Sequence, residues 1–285
     1  MPEAHEASIA VIGGTGLEDA FDSLDRRETV PTPYGPTSAP IALGMLGGRR
    51  VAFVPRHGAG HALPPSSVPA RANLWALARL GVRAVVSSAA VGSLDSAFAP
   101  GSLAVPDQLL DRTHGRADSY FDAEPGIDSG PVRHLPFADP FCPVVRAAVC
   151  DGLPDAADGA TVAVIPGPRF STRAESRALR AAGADLVNMT LLPEVALAGE
   201  LGIGSATVCV VTDMDAGAHA EDAELVSADI VYARFAEALP RVVAGIERAV
   251  AAIPPDYPGR TLLDDAARAD VLARPARAAD PRLAR

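Results

Sequence analysis

An apolar run, Val208-Cys209-Val210-Val211, closes on Thr212-Asp213-Met214-Asp215, so two carboxyl groups stand one residue apart where a buried strand would end. Strand ends are where loops build sites on a rigid scaffold, and a carboxyl with a perturbed pKa is a candidate proton donor there. Such an acid suits a reaction in which the departing atom becomes basic as its bond breaks. Taken alone, Asp-x-Asp after a strand reads equally as a metal pair or as a solvated turn. No nearby His or third carboxylate completes an obvious ligand set, and no metal is expected.

A second apolar run ends in Pro55-Arg56-His57-Gly58. The guanidinium offers a fixed fork of donors for a phosphate, and the adjacent His57 offers one more. A third run stops at Gly13-Gly14-Thr15-Gly16, where backbone N–H groups and the Thr15 hydroxyl would face an oxyanion. That loop lacks the third glycine of a dinucleotide fingerprint and the GK[ST] of a P-loop, so by itself it is a plain tight turn.

Around these elements stand Thr32-Pro33-Tyr34-Gly35, Pro69-Ala70-Arg71-Ala72-Asn73, Ser87-Ser88-Ala89-Ala90-Val91-Gly92-Ser93, Pro166-Gly167-Pro168-Arg169-Phe170-Ser171 and Asn188-Met189-Thr190-Leu191-Leu192-Pro193-Glu194. Their order, over most of residues 8–250, resembles the methylthioadenosine phosphorylase branch of the purine nucleoside phosphorylases. The resemblance implies a phosphate site made by Thr15, Arg56, His57, the backbone at Ala89 and Ala90, and Thr190. Inorganic phosphate would be the co-substrate, with no cofactor. The family usually carries a hydroxyl where Ala89 stands, and losing one charge-assisted hydrogen bond costs on the order of 1.5–3 kcal/mol if nothing replaces it. Met189 would lie against the ribose and Phe170 against the purine. Ser171, Asp213 and Asp215 match the set that selects 6-aminopurines, whereas the 6-oxopurine branch carries Asn and Glu at the Asp positions. Asp213 would serve purine N7, with Asp215 orienting it or assisting at the 6-amino group.

The same resemblance implies a homotrimer, in which His134 reaches the 5′ pocket of a neighbouring subunit. Ala228, Val231 and Tyr232, at i, i+3 and i+4 on one helix face, would line that pocket, where Tyr232 adds a ring and a hydroxyl to a wall that is usually aliphatic. The expected reaction is phosphorolysis of 5′-methylthioadenosine, or of a related 5′-substituted 5′-deoxyadenosine, to adenine and a 5-substituted 5-deoxyribose 1-phosphate. The alternatives are a phosphorylase of broader or 6-oxopurine preference, a nucleosidase that uses water, and a nucleoside-binding homologue without turnover. Glu175 and Glu194 read as helix-start residues or as partners of Arg, and His61, His114 and His219 as surface or loop histidines.

Positioning these groups needs strands that alternate with helices. Strand patterns recur at 8–12, 50–55, 83–88, 102–106, 161–165 and 205–211, and helical ones at 69–80, 143–150, 172–182, 194–201 and 227–252. That alternation predicts an α/β fold with a largely parallel or mixed sheet, and the resemblance implies a single nucleoside phosphorylase domain over 1–253, its mixed central sheet flanked by helices. A tail over 254–285 has room for one helix near Thr261–Ala273, which the resemblance would pack at the subunit interface.

Composition narrows the chemistry further. With 48% hydrophobic residues among 285, a large core needs no disulfide or metal. All 25 basic residues are Arg, so Schiff-base, pyridoxal phosphate and P-loop lysine chemistries are excluded. A net charge of −10 argues against a nucleic-acid polymer as partner. Cys142, Cys150 and Cys209 lack CxxC spacing, and there is neither a signal-peptide pattern nor an apolar stretch of membrane-spanning length, so a cytoplasmic protein is expected.

Overall fold

A computed structural model describes residues 7–13, 17, 23–122, 126–216 and 226–276. Thr15, in the glycine loop, and His219 lie outside the described residues. The chain runs β1 (Ile9–Gly13), β2 (Ser23–Glu28), β3 (Ile41–Leu46), β4 (Arg49–Pro55), α1 (Ala70–Arg79), β5 (Ala84–Ser93), β6 (Leu103–Val105), β7 (Gln108–Asp111) and α2 (Pro143–Gly152). It continues through β8 (Ala157–Asp158), β9 (Thr161–Val164), α3 (Arg173–Ala181), β10 (Leu186–Asn188), α4 (Leu191–Glu200), β11 (Gly204–Asp213), α5 (Ala228–Ala252) and α6 (Asp265–Leu272).

One mixed sheet holds every strand, in the order β2-β3-β4-β1-β5-β10-β9-β7, with β11 on β5, β6 on β11 and β8 on β6. Strand β5 is its trunk. Its first half lies between β1 and β11, parallel to both, while its last residues pair antiparallel with β10. Strands β1 and β11 are buried along their whole length, as strands covered on both faces must be, which is why they read as continuous apolar runs.

Helices cover both faces. Val145 and Val149 of α2 and Val242, Ile246 and Ala249 of α5 close over Val11, Val86 and Val208. On the other face Leu74 and Leu77 of α1, Leu197 of α4, and Ala267 and Val271 of α6 meet Ala10, Ile12 and Val85. The helix foreseen in the tail is therefore built into the same core. It starts at Asp264, whose carboxylate accepts from Ala267 N at 2.7 Å, and Trp75 Nε1 donates to the Val271 carbonyl at 2.9 Å.

Candidate active site

Strands β1, β4, β5 and β11 run parallel, so Gly13, Arg56 and Asp213 all lie toward the carboxyl edge of the sheet, where β5 and β11 run on together past the ends of β1 and β4 to Gly92 and Asp213. Ligands of open α/β sheets bind beyond the carboxyl ends of the strands. Three of the expected motifs thus converge because of topology. The Arg56 N–H donates to the Gly13 carbonyl at 3.0 Å, and Asp213 pairs in register with Gly92.

The half expected to bind the anion centres on Arg56, which is only 3% exposed. Its Nε and Nη2 donate to Glu194 Oε2 and Oε1 at 2.8 and 2.9 Å, and its Nη1 donates to the Ser88 carbonyl at 2.8 Å. A bidentate carboxylate fixes the plane of the fork and leaves the outer N–H groups for a ligand. Of the two readings open for Glu194, helix start or Arg partner, the second is therefore structural fact. Upstream, buried Asn73 accepts from Ser38 N at 2.9 Å, and Ser38 Oγ donates to the Pro55 carbonyl at 2.8 Å, fixing the approach to Arg56.

Asn188 ties the opposite wall together. Its amide donates to the Ala90 carbonyl at 3.0 Å, and its Oδ1 accepts from Thr190 N at 2.6 Å and Leu191 N at 2.8 Å. Thr190 and the Ala89–Ala90 backbone are thus held against each other. The Ala89 methyl sits in an apolar cluster with Leu191 and Val211, which confirms that this position presents no hydroxyl. Arg116, which the sequence did not single out, donates to the carbonyls of Met189 at 2.7 Å, Leu192 at 2.8 Å and Pro166 at 2.5 Å. One guanidinium therefore joins the Met189–Thr190 turn to the loop that carries Phe170 and Ser171. Gly167, at φ +63°, passes so close that a Cβ there would lie 2.5 Å from Met189 Sδ.

On the side expected to meet the base both carboxyls are buried, Asp213 at 5% exposure and Asp215 at 3%. Asp213 Oδ2 accepts from Thr212 Oγ1 at 2.7 Å and its Oδ1 from Asp215 N at 2.8 Å. Asp215 accepts from Ser176 Oγ. Burial pushes the pKa of both carboxyls upward. The Thr212 and Asp215 donors and the charge of Arg234 pull Asp213 back down in part, as Ser176 and Ser171 do for Asp215. Ser171 Oγ is buried beside Asp215 and has no hydrogen-bond partner in good geometry among the described residues. Asp215 holds φ 45°, in the left-handed region that Asp adopts more readily than most residues. Gly92 makes this packing possible, since a Cβ at that point would sit 2.9 Å from Asp213 Oδ1 and 3.2 Å from Asp215 Cβ.

The metal reading of the Asp pair finds no support in this geometry. Its oxygens face hydroxyl and N–H donors, and among the described residues no group of three or more His, Cys, Asp or Glu could hold an ion. Phe170, 37% exposed, stands on the loop before α3. That helix starts from a capping box between Thr172 and Glu175, and Glu175 also pairs with Arg169 at 2.7 Å.

The loop after Arg56 departs most from expectation. His61, read from the sequence as a surface or loop histidine, stacks on His57 with ring centroids 4.0 Å apart and holds φ 59°. Tyr232 meets its edge at 5.4 Å. The face expected to line the 5′ pocket, Ala228, Val231 and Tyr232, thus reaches the Arg56-His57 loop through a residue that no motif marked. His57 was expected as a donor toward the anion. Its Nδ1 instead donates to the Leu63 carbonyl at 2.8 Å. His134 is exposed, on the segment between β7 and α2, and is not part of this cluster.

Residues 8–248 match the family model of the phosphorylase superfamily. The chain belongs to that superfamily. Among its phosphorylase relatives, it is 53% identical to the S-methyl-5′-thioadenosine phosphorylase of Mycolicibacterium smegmatis over 81% of this chain and 86% of that protein. It is 46% identical to the purine nucleoside phosphorylase of Streptomyces coelicolor over 89% of this chain and 92% of that one. A phosphorylase of solved structure, the methylthioadenosine phosphorylase from an antarctic soil metagenomic library, superposes with a TM-score of 0.82 at 37% identity, covering 94% of this chain and 99% of the other.

Proposed function

We propose that the protein cleaves 5′-methylthioadenosine, or a closely related 5′-substituted 5′-deoxyadenosine, with inorganic phosphate. The products are adenine and a 5-substituted 5-deoxyribose 1-phosphate. The observation that carries this reading is a buried, carboxylate-fixed Arg56 after β4 and two buried carboxyls of raised pKa at the end of β11, both toward the carboxyl edge of one sheet. Phosphate held by Arg56, Thr190 and the Ala89–Ala90 backbone attacks C1′ from the face opposite the base and stabilises the positive charge that develops there. Asp213, whose pKa burial raises, serves N7 as the glycosidic bond breaks. Asp215 accepts from the 6-amino group or orients its neighbour. Met189 and Phe170 flank ribose and purine, and no cofactor takes part.

Product analysis with methylthioadenosine and inosine, each with and without phosphate, tests the assignment. Adenine should appear only with methylthioadenosine and phosphate together. Equal release in phosphate-free buffer would make the protein a nucleosidase, and faster cleavage of inosine would place it with the 6-oxopurine enzymes, a reading that the name of the Streptomyces relative keeps worth testing.

The reading extends to a cytoplasmic homotrimer in which His134 completes a neighbour's 5′ pocket, in keeping with its exposure. Sedimentation should give a trimer, and a fully active monomer would rule this out. At the 5′ group, Tyr232 is 52% exposed, with its ring edge-on to His61, and would present its hydroxyl to the substituent. Tyr232→Leu should therefore raise the kcat/KM of methylthioadenosine relative to adenosine by about fivefold, the scale of one exchanged hydrogen bond. An unchanged ratio would show that Tyr232 does not read the 5′ substituent.

A further inference from the structure

Strands β9 and β10 run parallel and end level, Val164 beside Asn188. A last backbone bond, from Ile165 N to the Asn188 carbonyl at 2.9 Å, closes the ladder, and there the two stretches of chain part. One becomes the loop that carries Phe170 and Ser171, the other the turn that carries Met189 and Thr190. Beyond this fork, Arg116 makes the only hydrogen bonds among the described residues that join residues 166–171 to residues 189–193. Its Nη2 donates to the Pro166 carbonyl and its Nη1 to those of Met189 and Leu192. It arrives from the neighbouring strand, since β7 pairs with β9 and Arg112 N still donates to the Val164 carbonyl at 2.9 Å before the chain turns. A guanidinium suits the place, because its donors stand in a fixed planar fork, whereas an ammonium is a compact point of charge. On the loop side, the buried Ser171 hydroxyl has no partner in good geometry among the described residues, which leaves it for a ligand.

We propose that Arg116 is a positioning residue that couples the two substrates: phosphate seated on the Thr190 turn prepares the Phe170–Ser171 loop for the purine, and the purine prepares the turn for phosphate. The proposal rests on the phosphorolysis reading, which puts one ligand on each arm of the fork. Its physical basis is shared ordering. Each arm alone must give up conformational freedom when its ligand binds. With both arms bonded to one rigid group, fixing either of them fixes the other, so the second ligand meets an arm that the first has already ordered. The effect is reciprocal by linkage: phosphate tightens purine binding by the same factor as purine tightens phosphate binding. Arg116 does this through main-chain carbonyls, so it needs no contact with either ligand.

Adenine and inorganic phosphate test this without turnover, since they do not react with each other in the absence of a sugar phosphate. Calorimetry should show adenine binding about tenfold more tightly in saturating phosphate than without it, within the range usual for coupled sites. Phosphate should gain the same factor in saturating adenine. In Arg116→Lys, which keeps the charge but not the fork, and in Arg116→Met, the factor should fall to about one. A merely structural role would weaken both ligands and leave the factor unchanged. The wild type supplies a readout that needs no variant: amide hydrogen exchange should slow across 167–172 when phosphate alone is added, and across 189–192 when adenine alone is added. Independent binding in the wild type, failure of either ligand to bind, a factor that survives in either variant, or protection confined to each ligand's own arm would each overturn the proposal. Independent binding alongside phosphate-dependent adenine release from methylthioadenosine would leave phosphorolysis standing. Coupling without that release would instead defeat the phosphorolysis reading and leave the coupling in place.

Discussion

Asp213→Asn lowers the turnover of methylthioadenosine by about a hundredfold or more, the lower end of what general acid catalysis supplies. The fold tolerates the change. An amide oxygen still accepts from the Asp215 N–H, and the Thr212 hydroxyl can reverse to accept from the amide nitrogen. What is lost is the transferable proton. Because burial raises the carboxyl's pKa, the acid form persists to higher pH than for an exposed Asp, and wild-type activity falls as pH rises through that value. The variant should show a low rate from which this limb is absent, with a thermal unfolding midpoint close to wild type. Normal turnover would remove Asp213 from the chemistry, and a wild-type pH profile at reduced rate would assign the limb to another group.

The largest effect on stability is expected at Glu194. Replacing it by Leu leaves the Arg56 guanidinium buried without its bidentate partner, and breaking a buried pair from one side costs about 3–5 kcal/mol. The isolated cation, rather than the lost contact, causes the damage. Two results follow. Millimolar phosphate should restore part of the lost stability, since it binds only the native state and brings a countercharge to Arg56. The double replacement Arg56→Leu with Glu194→Leu should unfold at a higher temperature than Glu194→Leu alone, though it binds no phosphate. Denaturation midpoints with and without phosphate decide the matter. A double variant less stable than the single one would mean that packing around Glu194, and not charge, sets the cost.

Much of this site is legible in the sequence because its parts sit at the ends of long apolar runs. Those runs announce β1, β4, β5 and β11, and the parallel pairing of these strands brings their ends together. Strands that announce themselves poorly are polar, broken or brief. Ser23–Glu28 is mostly charged and lies at an edge, Gly44 interrupts Ile41–Leu46, and Leu186–Asn188 is too short for a period to show. Residues that act through other residues are harder still to find. Ser176, Asn188, Arg116 and Gly92 each fix a group distant in the chain, and only three-dimensional proximity gives them a role. His61 carries no motif, because its place depends on a left-handed backbone turn that stacks it on His57. Which His57 nitrogen donates within the chain could not be read from sequence, since the Leu63 carbonyl sets it.

The two ends of the nucleoside rest on different kinds of support. In the proposed binding mode the base would meet the last residues of a strand buried along its whole length, whereas the 5′ end would face the half-exposed first turns of α5, where Tyr232 leans on a loop histidine. Substitutions at Ala228, Val231 or Tyr232 disturb little else, but any side chain at Gly92 would collide with the catalytic carboxyl. Lineages can therefore exchange 5′ substituents by drift on one helix face while the adenine socket stays unaltered. For inhibitor chemistry, an adenine mimic would supply affinity common to these enzymes, and selectivity for this one would come from the group attached at the 5′ carbon.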